Sequence, residues 1–189
     1  MPITLRGQCL VANKSLKDPN FHKTIVLLLE HTVGGATGLV LNRPSSILVA
    51  HALSGHFQIP NSDRVVFMGG PVEPSALLML HDVHALGGPE VSTSPGVFIA
   101  ESSDAFEQVL RTNDSNDDYG DRFRIFSGYS GWGEGQLEQE IDNGDWLLHP
   151  GGHQLVFGID PYEAYDIALR QIFDATQLLP YRMTDPTLN

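Results

Sequence analysis

Apolar positions fall in short runs separated by glycine and proline. Ile25 to Leu29 is continuous, apolar and rich in β-branched residues, which predicts a buried strand. Gly34-Gly35 separates it from Gly38-Leu39-Val40-Leu41, so the two runs read as a hairpin. Arg43-Pro44 ends the second strand, because proline has no amide hydrogen to give the ladder. Ser45 and Ser46 predict the cap of a short helix over Ile47 to Leu53, and Ile59-Pro60-Asn61-Ser62 a loop. Val65 to Met68 predicts another strand, broken by Gly69-Gly70-Pro71, with extended structure again over Leu77 to Leu80 and Gly96 to Ala100.

Helical spacing enters further on. Asp104 with Glu107 marks a helix start ahead of Phe106, Val109 and Leu110. Phe123 and Ile125 alternate with Arg122 and Arg124, predicting a half-exposed strand over 122–126, followed by a glycine-rich turn. Leu137 and Ile141 lie four apart on a short helix that Gly144 closes, and Trp146-Leu147-Leu148 returns to strand. Asp160-Pro161 with Glu163 combines an N-cap, a first-turn proline and a capping acid; Tyr165, Ala168, Leu169 and Ile172 form the core face of the helix that follows. Strands joined mostly by hairpin-length connections, with a few short helices, predict an α+β fold.

The chain has 189 residues, 41% hydrophobic and 18% charged, so one globular domain over 1–189 is expected and disorder is disfavoured. The net charge of -12 opposes broad nucleic-acid binding, yet it is uneven: residues 1–64 carry +3 and residues 65–189 carry -15. Arg6, Lys14, Lys17, Lys23, Arg43 and Arg64 supply the basic stretch and make local DNA contact a specific alternative. The lone cysteine, Cys9, sits beside Leu10 and Val11 and reads as a structural, buried thiol. The opening Met-Pro-Ile-Thr-Leu-Arg lacks the apolar centre of a signal peptide, and no apolar run approaches the ~18 residues of a membrane helix. The cytoplasm is the expected location.

Spacing decides against several chemistries. An EF-hand loop starting at Asp114 fails where Tyr119 replaces glycine and Ile125 replaces glutamate, so the acids around Asp117, Asp118 and Asp121 read as a solvated loop. His149 and His153 are split by Pro150-Gly151-Gly152, while His81 and His84 are three apart and would face opposite ways on one strand. No motif asks for a metal or a cofactor. Gly128-Tyr129-Ser130-Gly131-Trp132 matches a nucleophile elbow until Trp132, where close strand-helix packing needs glycine, which leaves a Ser130 hydrolase as an alternative.

The segment from Phe126 to Gln136 nevertheless stands out for its glycines and aromatics. It reads either as a strand-to-helix turn wedged by Tyr129 and Trp132 or as a place where backbone approaches a ligand. Phosphate is opposed by Glu134, Glu138 and Glu140.

Three blocks together resemble the YqgE/AlgH family. They are Leu10-Val11-Ala12-Asn13 through Asp18-Pro19-Asn20-Phe21 to Gly38-Leu39-Val40-Leu41-Asn42-Arg43-Pro44; Met68-Gly69-Gly70-Pro71-Val72; and Phe123 through Gly128-Tyr129-Ser130-Gly131-Trp132-Gly133 to Gly144-Asp145-Trp146. Glu134 stands where the family commonly has proline. The resemblance implies a strongly bent mixed sheet forming a pseudo-barrel flanked by short helices, and a cytoplasmic bacterial protein. It implies no established activity; the AlgH label implies a part in controlling alginate genes without a mechanism. The expected function is non-enzymatic binding or regulation through a small-molecule or protein partner. Gly69, Gly70 and Pro71, together with Ser130, Gly131, Trp132, Gly133 and Gln136, are the expected ligand-binding residues.

Overall fold

The computed structural model describes residues 4–57, 63–86, 92–100, 102–112 and 123–177. The loop expected at 59–62, Arg122 and the acidic stretch from Asp114 to Asp121 lie outside the described residues.

Strand β1 (Cys9–Ala12) is wholly buried between β2 (Ile25–Thr32) and β10 (Trp146–His149), antiparallel to both. The hairpin expected after Ile25 forms: β2 turns through Val33-Gly34 into β3 (Gly35–Val40), with Thr32 opposite Gly35. Next come β4 (Pro44–Leu48), the single-turn helix α1 (Val49–Ala52), β5 (Val65–Met68) and β6 (Val72–His81). The short strands β7 (Ser92–Ser94) and β8 (Val97–Ile99) precede α2 (Ser103–Thr112). Strand β9 (Phe123–Trp132) is followed by α3 (Gln136–Asp142), β10, α4 (His153–Phe157) and α5 (Ala164–Gln177).

The ten strands of the described residues share one curled sheet, a half-barrel with short helices, so the fold is α+β. The main path runs β10-β1-β2-β3-β9-β6-β8-β7, with β5 joining β9 and β4. Strand β9 pairs antiparallel with β3 and β6 but parallel with β5, which makes the sheet mixed. Because β10 pairs with β1 and β9 with β3, the basic first third and the acidic remainder interleave in one sheet. The charge split along the chain therefore does not become two segregated halves of the fold.

Among the described residues two apolar clusters cover the sheet. The larger joins β1, β2 and β3 to Phe67, Phe126, Trp132, Trp146 and the inner face of α5, where Ala164, Tyr165, Ala168 and Leu169 are buried. The smaller packs Phe106, Val109 and Leu110 of α2 against Val49, Val66, Met79, Phe123 and Ile125. Helix α2 starts with Ser102, whose Oγ accepts the Ala105 N–H at 3.1 Å, just ahead of the expected Asp104. Helix α3 has Leu137 buried and Ile141 half-buried, and the Gly144 N–H donates to the Ile141 carbonyl at its end.

Three sequence expectations are corrected. Ser45 to Leu48 are strand, and helix covers Val49–Ala52 alone. Ladder bonds to β5 outweigh a helix too short to repay its nucleation. Residues Phe123 to Phe126 are buried on both faces because β9 is an interior strand, so Arg124 is a buried side chain and not part of a solvated face. Finally, the glycine-rich stretch is no turn up to Trp132: β9 runs straight through Gly128 to Trp132, and the turn occupies Gly133 to Gly135.

Candidate functional site

The two glycine blocks expected to meet a ligand meet each other. The Gly69 N–H donates to the Ser127 carbonyl at 2.9 Å, and the Gly69 carbonyl accepts both the Val40 N–H at 2.8 Å and the Ser130 hydroxyl at 3.2 Å. A Cβ on Gly69 would overlap the Gly128 carbonyl oxygen, and one on Gly70 the Tyr129 carbonyl. Gly128, at φ 68°, would place a Cβ 2.5 Å from the Gly70 carbonyl oxygen. Glycine is required here for backbone to lie on backbone. Ser130 is fully buried, so its hydroxyl is spent on this crossing.

Trp132 is likewise an internal side chain, 6% exposed. Its ring stacks on Phe21 at 5.9 Å and meets Trp146 edge-on at 6.1 Å. The indole N–H groups of Trp132 and Trp146 both donate to Glu140 Oε2, at 2.9 and 2.8 Å. Gln136 donates from Nε2 to Glu140 Oε1 at 2.9 Å, while its Oε1 accepts the Gly133 N–H at 3.1 Å. One carboxylate thus ties the end of β9 to β10 and to the first turn of α3. From sequence Glu140 reads only as a repelling charge; its position four residues after Gln136 on a helix is the available signal. Pro71, Gly131, Gly133 and Gln136 are solvent-exposed, and none of the expected ligand residues lines any of the three cavities described below.

A cavity of about 520 Å³ opens where β5 and β9 run parallel. Its walls include Asp63, Arg64, Phe67, Phe123, Arg124 and Asp160. The Arg64 guanidinium lies 4.5 Å from the Phe123 ring centroid, and that of Arg124 4.8 Å from the Phe67 centroid. Arg124 Nη2 donates to the Ile159 carbonyl at 3.4 Å, and Asp160 Oδ1 accepts the Tyr162 N–H at 2.8 Å. Both arginines are therefore oriented by neighbouring groups, while Tyr162 at the rim is 80% exposed.

A second cavity, about 510 Å³, borders His31 and Glu138. His31 Nδ1 accepts the Leu5 N–H at 3.0 Å, so Nε2 carries the proton and donates to Glu138 at 2.7 Å. Glu138 is held below the usual carboxylate range, first by its own backbone N–H and then by His31. With both ring nitrogens engaged, His31 pins the N-terminal segment to β2 and α3. A third cavity of about 440 Å³ lies between Leu53 and Phe106.

The other histidines are also dispersed. His149 accepts the Gly151 N–H and hydrogen-bonds Gln171, whereas His153 pairs with Asp82 at 2.8 Å. His84 lies beyond the end of β6 at His81, so the two share no strand; both pack on Phe98, His81 by stacking and His84 edge-on, and burial lowers the His81 pKa. Among the described residues no cluster of three His, Cys, Asp or Glu side chains is placed to hold a metal. Cys9 is fully buried, and desolvation pushes its thiol up to about 12. Of the six bases proposed for DNA, Arg6 and Arg43 donate to backbone carbonyls of Leu29, Pro19 and His22, and Arg64 covers Phe123. Lys14, Lys17 and Lys23 are exposed around the β1–β2 connection.

The AlgH-like family model (DUF179) matches residues 9–176, a span that holds the glycine crossing, the Glu140 clamp and the charged cavity. The chain belongs to the AlgH-like family. This AlgH-like chain is 34% identical over 182 residues to a UPF0301 protein of Cupriavidus pinatubonensis, covering 94% of this chain and 93% of that one. A UPF0301 protein of Myxococcus xanthus is 36% identical over 164 residues, covering 85% and 87%. Among solved structures, the AlgH protein of Pseudomonas aeruginosa superposes with a TM-score of 0.70 at 28% identity, covering 94% of this chain and 95% of that one. DIP2367 of Corynebacterium diphtheriae, at 20% identity and a TM-score of 0.68, shares the fold. Among the described residues of this AlgH-like chain no helix is long and apolar enough to cross a membrane.

Proposed function

We propose that this chain is a cytoplasmic, non-enzymatic binding protein, regulatory in role, whose small-molecule ligand occupies the cavity between β5, β9 and the loop before α5. The carrying observation is that this cavity, about 520 Å³ in volume, is walled by oriented charged and aromatic side chains. The glycine blocks, by contrast, use their close approach on each other, so the ligand position moves from Gly69, Gly70 and Ser130 to Arg64 and Arg124. A serine-hydrolase reading draws no support from a hydroxyl that is fully buried and donates to the Gly69 carbonyl. Direct DNA contact is reduced to Lys14, Lys17 and Lys23, since three of the six bases make contacts within the fold.

The test is thermal unfolding of the purified chain against a panel of small metabolites, with Val65→Trp used to fill the cavity. A ligand present at about 100 times its dissociation constant stabilises by roughly 2.7 kcal/mol, and that shift should vanish in the filled variant. Shifts that survive in Val65→Trp, or a panel without any hit, count against this site. Turnover abolished by Ser130→Ala would overturn the non-enzymatic reading.

A further inference from the structure

Three histidines accept a backbone N–H through Nδ1: His31 from Leu5 at 3.0 Å, His81 from Val83 at 3.2 Å and His149 from Gly151 at 3.0 Å. Each bond needs the neutral ring, because a protonated Nδ1 is itself a donor. The three differ at the other nitrogen. His81 is 1% exposed and its burial disfavours charge, while His149 Nε2 meets the uncharged amide of Gln171. Among the described residues His31 alone of the three has a carboxylate on Nε2, that of Glu138 at 2.7 Å. A second proton on this ring therefore breaks one contact and strengthens the other.

The contact that breaks holds the chain against an open strand edge. Strand β1 begins at Cys9, and Gly7, at φ 82°, turns the chain so that Thr4 to Arg6 lie beside β2. There the edge is closed by side chains: the Leu29 carbonyl accepts Arg6 Nε at 3.0 Å, and the His31 carbonyl accepts the Thr4 hydroxyl at 3.2 Å. Thr4 and Arg6 are solvent-exposed, so water competes for both carbonyls. Leu5 is the inner attachment, half-buried against the larger cluster and bonded to His31 through its N–H.

We propose that Thr4 to Arg6 form an acid-released strap: neutral His31 holds it on β2, and protonated His31 keeps Glu138 and lets it go. The Glu138 contact exists with the strap on or off, so it governs where the ring takes up its proton and favours neither position of the strap. The Leu5 bond exists only with the strap on and the ring neutral, so closure weakens as the pH falls. Glu138, held below the usual carboxylate range by its own backbone N–H and then by His31, stays ionised meanwhile. Glu30 on β2 and Asp142 on α3 add to the pull towards a charged ring, and Arg6 on the strap opposes it. Ala36 of β3 and Leu148 of β10, on the remaining sides, carry no charge. Release uncovers the Leu29 and His31 carbonyls and widens the cavity of about 510 Å³ that Thr4 and Leu5 wall.

Nuclear magnetic resonance of the labelled chain between about pH 8 and pH 5, the span in which imidazoles titrate, tests the strap through Leu5. Exchange protection of the Leu5 amide, corrected for the intrinsic rate, should fall about tenfold on acidification, the loss of one hydrogen bond. The Leu5 methyl signals should move towards their solvent-exposed positions in step with the His31 ring. His31→Asn removes the titration, so whether or not its amide oxygen holds the strap, the Leu5 signals should stop responding to pH. Glu138→Gln keeps an acceptor for the Nε2 proton and removes the charge, so release should move to lower pH. Circular dichroism confirms folding, and if His31→Asn does not fold, Glu138→Gln and the ring signals of the parent decide the matter. Leu5 signals indifferent to pH, or a response that survives in His31→Asn, overturn the latch. Amide protection lost while the methyl signals stay in place means that the bond breaks without the strap moving, and overturns it too. Release at an unchanged pH in Glu138→Gln removes the carboxylate from the device and overturns it as stated.

Discussion

Strand β9 takes part in two regions that treat space in opposite ways. At Gly128 to Ser130 it lies against Gly69 and Gly70 so closely that a single added carbon collides with main chain. At Phe123 to Ile125 the same strand carries large side chains that wall an open cavity. The difference teaches how to read a glycine-rich segment. Absence of a side chain makes room, but a neighbouring backbone fills that room as readily as a ligand does. A run of glycines on an interior strand is therefore evidence of chain crossing first, and of binding only when space is left over.

The largest expected effect separates glycines within that one strand. Gly128→Ala would force a positive φ on alanine and press its Cβ against the Gly70 carbonyl, costing about 3 kcal/mol or more. Gly131 pairs with Thr37, and a Cβ there would meet only Val72 Cγ2 at 3.8 Å, an ordinary contact. Gly131→Ala should stay within about 0.5 kcal/mol of the parent protein. Urea unfolding of both variants measures the gap; equal stabilities would mean that the crossing is not where β9 is constrained.

The same contrast explains what could be read from sequence. Apolar runs such as Ile25 to Leu29 and Val65 to Met68 declare themselves as strands because burial needs little more than local pattern. Gly128 to Trp132 does not, since neither alternation nor β-branching marks it and glycine locally favours a turn. It becomes strand through Val72 opposite Tyr129 and Ala36 opposite Trp132, partners far away in sequence. Ser45 to Leu48 is strand for the same reason, a local capping signal being overruled by β5. The bent mixed sheet was legible through the family resemblance rather than through periodicity. The cavity was hidden because Arg64, Arg124 and Asp160 come from three separate stretches and form no motif. Ser130 and Trp132 were conspicuous by composition, yet composition does not tell an exposed indole from one whose N–H is tied to Glu140.

Removing that tie is the next largest test. Glu140→Ala leaves the Trp132 and Trp146 N–H groups without their shared acceptor and frees Gln136, costing about 2 kcal/mol because charge-assisted bonds at part-buried donors are lost. Unfolding followed by indole fluorescence reads both the stability and the environment of the two rings. If the crossing is the rigid part of the molecule, the emission should change while ligand binding at the cavity is retained. Loss of cavity binding in a folded Glu140→Ala protein would join the two regions into one unit and remove the contrast drawn between them.

The smallest expected effect comes from the outer carboxylate of the same helix. Glu138 is held below its ordinary range by its own backbone N–H and by His31, and its side chain is 49% exposed, so solvent screens most of the gain. A carboxyl whose folded pKa is depressed contributes stability above its unfolded pKa, near 4.5 here, and loses it as the pH falls through the folded value. Glu138→Gln should therefore cost about 0.5 kcal/mol or less near neutral pH and nothing once the parent carboxyl is protonated. Urea midpoints for parent and variant should converge on acidification through and below that range. A gap that persists at the acid end would mean that Glu138 acts through packing rather than charge. One that exceeds the Glu140 effect would place the main anchor of α3 on its His31 side, away from the tryptophan clamp.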